Sequence, residues 1–94
     1  MSLDWCTLRP DGTPEVAVAM GTDSHHVLLV RGSHLPLLCR AADYYQDADY
    51  APDEVGELLD ELASIGPLAG TEAKLAALCR DALRRGCGIF AIAD

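Results

Sequence analysis

Apolar positions alternate with polar ones in the first third of this chain and recur at helical spacing in the rest. Residues 3–8 mix apolar and polar side chains and run into Arg9-Pro10-Asp11-Gly12-Thr13-Pro14. Pro presets φ, Asp bonds nearby backbone and Gly accepts positive φ, so this run predicts a turn. Val16-Ala17-Val18-Ala19-Met20 alternates large and small residues. That pattern predicts a half-buried strand, paired with the first in a hairpin, with Val16, Val18 and Met20 on one face. Gly21-Thr22-Asp23-Ser24 predicts a second turn. The unbroken apolar run Val27-Leu28-Leu29-Val30 then predicts a central strand covered on both faces.

From residue 33 the period lengthens. Ser33 is a suitable N-cap, Pro36 is tolerated in a first turn, and a helix is predicted over 34–47. Leu35, Leu38, Ala42 and Tyr45 fall on one face, with Leu37, Ala41 and Tyr44 beside them. A second helix is predicted from Pro52, with Asp53 and Glu54 in a first turn that favours negative charge. Val55, Leu58, Leu59, Leu62 and Ile65 form its apolar stripe, Glu54, Glu57 and Glu61 line the other side, and Gly66-Pro67 ends it. Thr71 is the expected cap of a third helix with Leu75, Leu78, Cys79, Ala82 and Leu83 inward. Asp81 and Arg85 make a favourable i,i+4 pair, and Gly86 closes the helix. Residues 89–92 predict a last, mostly buried strand. The expected fold is a small α+β domain: an N-terminal hairpin or meander, three helices and a C-terminal strand. A two-layer α/β arrangement is the alternative.

The 94 residues are the length of one domain, with space for one core and little for a deep cavity. Half of them are hydrophobic, so the chain is expected to be globular. Neither a secretory leader nor a run of ~20 apolar residues is legible, which predicts a cytoplasmic protein. The four cysteines, at 6, 39, 79 and 87, have no Cys-x-x-Cys spacing and are expected as free, mostly buried thiols. Cys39 and Cys79 both fall on predicted core faces.

Charge changes the picture most. Residues 43–61 hold eight carboxylates, Asp43, Asp47, Asp49, Asp53, Glu54, Glu57, Asp60 and Glu61, and no basic residue. The net charge of the chain is -8. Such a surface repels nucleic acid and anionic lipid and attracts basic proteins. All three tyrosines, Tyr44, Tyr45 and Tyr50, lie in the same stretch. Tyrosine supplies a large contact area for few frozen torsions, so the stretch combines anchors with steering charge. Tyr45 is expected to complete the helix's core face, and Tyr44 and Tyr50 to be exposed. The expected partner-binding set is Tyr44, Tyr45, Asp47, Asp49, Tyr50, Asp53, Glu54, Glu57 and Glu61.

Other chemistry is less well supported by spacing. Asp23, His25, His26 and His34 could serve a metal if His34 folded back, but they match no established ligand pattern, and adjacent histidines point to opposite faces of an extended chain. No Gly-x-Ser-x-Gly elbow occurs. No catalytic residue and no cofactor are expected.

Asp43-Tyr44-Tyr45, with the acids that follow, resembles bacterial toxin-immunity proteins, small cytoplasmic acidic antitoxins that bind and block a basic toxin. In the DNase-colicin immunity family a tyrosine pair beside acidic residues contacts the enzyme. The resemblance covers roughly 20 of the 94 residues. It is one of physical type, because that family is all-helical and this chain reads as strands at both ends. Tyr44, Tyr45, Asp47 and Asp49 are the positions it carries over. It implies a non-enzymatic inhibitor of a basic protein. The alternatives are a small metal-dependent enzyme on Asp23, His25, His26 and His34, and a homo-oligomeric domain, such as a homodimer paired through a sheet edge.

Overall fold

The computed structural model describes residues 2–8, 11–32 and 34–93. The expected cap Ser33, and Arg9 and Pro10 of the first turn, lie outside the described residues. Among the described residues four strands and four helices follow in the order β1 (Leu3–Leu8), β2 (Pro14–Met20), α1 (Thr22–Gly32), α2 (Pro36–Arg40), β3 (Ala48–Tyr50), α3 (Val55–Ser64), α4 (Gly70–Arg85) and β4 (Ile89–Ala93). The strands form one antiparallel sheet in the order β2-β1-β4-β3. The fold is α+β, as expected.

The β1–β2 hairpin forms with one irregularity. Trp5 pairs with Val18 and Cys6 with Val16, so Ala17 is an extra residue on β2. A bulge of this kind breaks the two-residue period. Val18 therefore faces the core at 4% exposure, while Val16 faces out at 55%. The expected single face of Val16, Val18 and Met20 is corrected by that one inserted residue.

The run 27–30 is helical and not a strand. Within α1 the buried positions are His25, Leu28 and Gly32, spaced three and four apart, while Val27 and Val30 stay exposed. An apolar run of four cannot by itself tell a buried strand from a helix. What decides it lies elsewhere in the chain. The His25 Nε2–H donates to the Ala41 carbonyl at 2.8 Å. Gly32 lies so close to α2 that a Cβ there would stand 2.7 Å from Leu38 Cδ1.

The helix expected over 34–47 shrinks to the five residues of α2. Leu35, its N-cap, offers no side-chain bond. The cap comes from α3, where the Glu61 carboxylate accepts from Leu37 N at 3.0 Å and Leu38 N at 2.9 Å. At the other end the Asp43 carboxylate accepts from Tyr45 N at 2.9 Å. This local bond competes with helix continuation. The chain then reaches the sheet edge as β3, which the apolar pattern does not predict.

α3 begins at Val55, three residues after the expected Pro52, and Pro52 to Glu54 form a turn. The N-cap of α4 is Ala69, and Thr71 lies inside the helix, donating to Ser24 Oγ at 3.3 Å. Gly86 closes α4 as expected, at φ 68°, with Cys87 N donating to Ala82 O at 3.0 Å. Arg85 makes the expected pair with Asp81 at 2.8 Å. Leu83, expected inward, is exposed.

One face of the sheet meets the helices. Leu3, Trp5, Val18, Met20, Ala48, Tyr50, Ile89 and Ala91 are buried against Leu28, Leu38, Val55, Leu58, Leu62, Leu75, Cys79 and Ala82. Trp5 stacks on Tyr50 with ring centroids 6.0 Å apart. Its indole Nε1 has no hydrogen-bond partner among the described residues, so packing alone holds the ring.

Cysteine placement is split. Cys79 is buried, and burial pushes its thiol up to about 12. Cys6 is also buried, and burial and then the nearby Asp4 charge raise it. Cys39 is exposed, because the short α2 buries Leu37 and Leu38 instead. Reactivity follows the thiolate and its access. In native protein a thiol reagent should therefore modify Cys39 rapidly and leave Cys79 and Cys6 intact until denaturant is added. Mass spectrometry of labelled peptides over time checks this. Equal labelling of Cys79 and Cys39 before unfolding would contradict the packing of α4.

Candidate functional site

The three tyrosines occupy places opposite to those expected. Tyr50 is 1% exposed, Tyr44 8% and Tyr45 66%. Tyr50 is on the inward row of β3. Its hydroxyl donates to the Leu37 carbonyl at 2.7 Å, and the Arg40 guanidinium lies 5.0 Å from its ring centroid. Burial raises its phenol well above the ordinary value. Tyr44 packs edge-on against His25, centroids 5.2 Å apart, and Tyr45 sets its ring perpendicular to Tyr44 at 5.3 Å. The reversal follows from the end of α2. With helical phase lost after Arg40, the face that placed Tyr45 beside Leu38 and Ala42 no longer exists. Tyr45 is the exposed aromatic of the three.

The eight carboxylates also divide. Four serve the fold. Glu61 caps α2 and Asp43 bonds Tyr45 N. Asp47 accepts from Ala93 N at 2.7 Å, pinning the end of β4. Glu54 accepts from Arg40 Nη1 at 2.9 Å and Nη2 at 2.7 Å, and from Ala51 N at 2.9 Å. Asp49, Asp53, Glu57 and Asp60 are solvent-exposed and have no hydrogen-bond or ion-pair partner among the described residues. Of the nine expected binding residues, Asp47, Tyr45, Asp49, Asp53 and Glu57 are exposed, and the last four make no side-chain hydrogen bond or close ion pair among the described residues. Asp60, left out of that set, stands with them.

The Glu54 arrangement carries a pH dependence. The Arg40 hydrogen bonds, and then the Ala51 N–H, hold its carboxyl at about 2 against an ordinary 4.5. A carboxyl depressed in the folded state takes up its proton first in the unfolded chain. Its contribution is present above pH 4.5 and is lost as pH falls from there toward 2. Urea melts across pH 2–6 should show part of the acid destabilisation removed by Glu54→Gln. An identical pH profile in that variant would show that the pair adds nothing in solution.

The histidines form no centre. His25 is buried, with its Nε2 committed to Ala41 O, while His26, His34 and Asp23 are exposed. Among the described residues no three of His, Cys, Asp and Glu stand close enough to hold a metal. The alternative set of Asp23, His25, His26 and His34 is thus not brought together. Helical backbone turns His25 inward and His26 outward.

Among the described residues the buried helical cluster lies against the other face of the sheet, and the sequence reading missed this second face. Paired residues of neighbouring strands share a face. Asp49 pairs with Phe90, Cys6 with Phe90 and Val16, and Asp4 with Ile92 and Ala19. This row is the outward one. Phe90 and Ile92 are half-buried there, and Val16 and Leu8 are exposed. The alternation in β4, with Ile89 and Ala91 buried and Phe90 and Ile92 partly open, carries the signal. Because all four residues are apolar, the sequence shows no period. Two shallow depressions adjoin at the β3 edge of the sheet, reach onto this face and share Asp49 and Phe90. One, of about 340 Å³, includes Leu8, Arg40, Glu54 and Gly88. The other, of about 330 Å³, includes Asp47 and Ile92. Gly88 permits the close approach of β3, since a Cβ there would stand 2.4 Å from the Tyr50 carbonyl oxygen.

Among the described residues no helix is long and apolar enough to cross a membrane. No protein-family model, curated protein or solved structure matches the chain significantly.

Proposed function

We propose that this protein is a binding module that covers and neutralises a basic protein partner, as toxin-immunity proteins do. The observation that carries this reading is the division of the acidic segment. Asp43, Asp47, Glu54 and Glu61 are tied into the fold, whereas Asp49, Asp53, Glu57 and Asp60 are exposed and make no side-chain hydrogen bond or close ion pair among the described residues. The helix dipole favours Asp53 and Glu57 at the start of α3, but it gives no account of Asp49 or Asp60. Clustered like charge on a chain of net charge -8 opposes folding, and a cationic partner relieves that repulsion. Such charge steers association, and an exposed aromatic slows release. Tyr45 is suited to the second role, because Tyr44 seats its ring.

The test compares the wild-type protein with a variant carrying Asp49→Asn, Asp53→Asn, Glu57→Gln and Asp60→Asn together. Each is immobilised and exposed to an extract of the native cell, the retained protein is identified, and its kinetics are then measured with purified partner. A basic protein is expected, whose association slows with added salt and with the variant, while the variant melts like wild type. Retention of the same protein by both, at a rate indifferent to salt, would remove the basis of the proposal.

A further inference from the structure

The open sheet face and the charge come together at one place. Asp47 and Asp49 line the same depression as Phe90 and Ile92. Asp49 is on the outward row of β3, and Asp47 lies just before that strand. Asp47 uses Oδ1 for Ala93 N, and the Asp49 carboxylate, within the field of Arg40, makes no hydrogen bond or close ion pair among the described residues. Asp4 lies farther along the same face, cross-strand from Ile92. The cation at the neighbouring depression, Arg40, is already held by Glu54 in a two-pronged pair and donates to the Asp49 carbonyl at 2.8 Å. The face therefore has an apolar floor, an acidic rim and no unpaired base among its described lining residues.

We infer that this face receives a lysine- or arginine-bearing segment of a basic protein. The cation lies between Asp47 and Asp49, and its aliphatic stem lies across Phe90 and Ile92. The inference rests on the basic-partner reading above and adds where the partner is met. Lysine and arginine cover apolar surface with their stems while the charged head stays with solvent or an anion. Phe90 adds its ring face to a cation held at that height. Charge selects the occupant. A second copy of this chain would set Asp4, Asp47 and Asp49 against their own counterparts, and a polyanion would be repelled.

The probe is a short end-capped peptide alternating lysine and valine, titrated into ¹⁵N-labelled full chain, with its glutamate-for-lysine counterpart as control. Amide shifts are expected at Asp47, Asp49, Phe90 and Ile92 with the lysine peptide alone. Asp49→Asn should weaken binding about fivefold. An Asp53→Asn, Glu57→Gln, Asp60→Asn variant should slow association and leave the β3 and β4 shifts in place. Shifts gathered on α3 around Glu57 and Asp60 would overturn the sheet-face site while leaving the basic-partner reading intact. Equal shifts with the glutamate peptide would overturn both. No shift at β3 or β4 with the lysine peptide would also overturn the site, and capture from extract would then judge the broader reading independently.

Discussion

Tyr50→Ala is expected to lower stability by about 3–5 kcal/mol, the range for removing a large buried aromatic. Small domains have about 5–15 kcal/mol in total, so the variant should approach the limit of folding. A melting temperature lower by roughly 20 °C follows for a chain of this size. Three contacts are lost at once: stacking on Trp5, the hydroxyl bond to Leu37 O, and the ring beneath Arg40. The hydroxyl serves the Leu37 carbonyl where Ala41 N donates to Leu38 O instead. Tyr50→Phe isolates this bond and should cost about 1–2 kcal/mol. Urea melts of both variants decide the matter. A Tyr50→Ala protein as stable as wild type would mean that β3 does not hold its place on the sheet. The result bears on function too, since loss of partner binding in Tyr50→Ala would report unfolding. Tyr45→Ala is the clean probe of the partner surface, because an exposed substitution should change stability by less than about 0.5 kcal/mol.

The second large effect is expected at Arg31. Its Nη1 donates to both oxygens of Glu72 at 2.9 Å, and its Nη2 to the carbonyls of Ile65 at 2.7 Å and Pro67 at 2.9 Å. One side chain thereby joins α1, the α3–α4 connection and the start of α4. Glu72 is buried, and Arg31→Met would leave its charge without that partner. Breaking a fully buried pair from one side costs about 3–5 kcal/mol. Arg31 is partly open to solvent, so about 2–3 kcal/mol is expected here. Replacing both partners, as Arg31→Met with Glu72→Leu, removes the stranded charge and should recover part of the loss. A double variant no more stable than Arg31→Met alone would show that the carbonyl bonds, and not the ion pair, carry the contribution.

Local chemistry determined a definite part of this protein from the sequence alone. Leu3–Leu8 as a strand, the stripe of Val55, Leu58 and Leu62, the Gly86 closure of α4 and the last strand all follow from periodicity and backbone preference. Each needs information from within its own few residues. The net charge and the crowding of carboxylates into residues 43–61 are likewise properties of sequence. Tertiary structure decided what depended on a distant partner. The run 27–30 became helix because His25 and Gly32 meet Ala41 and Leu38, the C-cap and a residue of the next helix. α2 ended at Arg40 as the chain turned to the sheet edge, and its N-terminal cap came from Glu61, over twenty residues away. With that ending the tyrosines changed places, Tyr50 into the core and Tyr45 into solvent. One bulged residue, Ala17, separated Val16 from Val18 across the sheet. Which acids are structural and which are free was settled in the same way. Asp43 takes its donor from Tyr45, two residues on, but the Arg40 partner of Glu54 and the donors to Asp47 and Glu61 come from other elements, and only the folded chain brings them within hydrogen-bond reach.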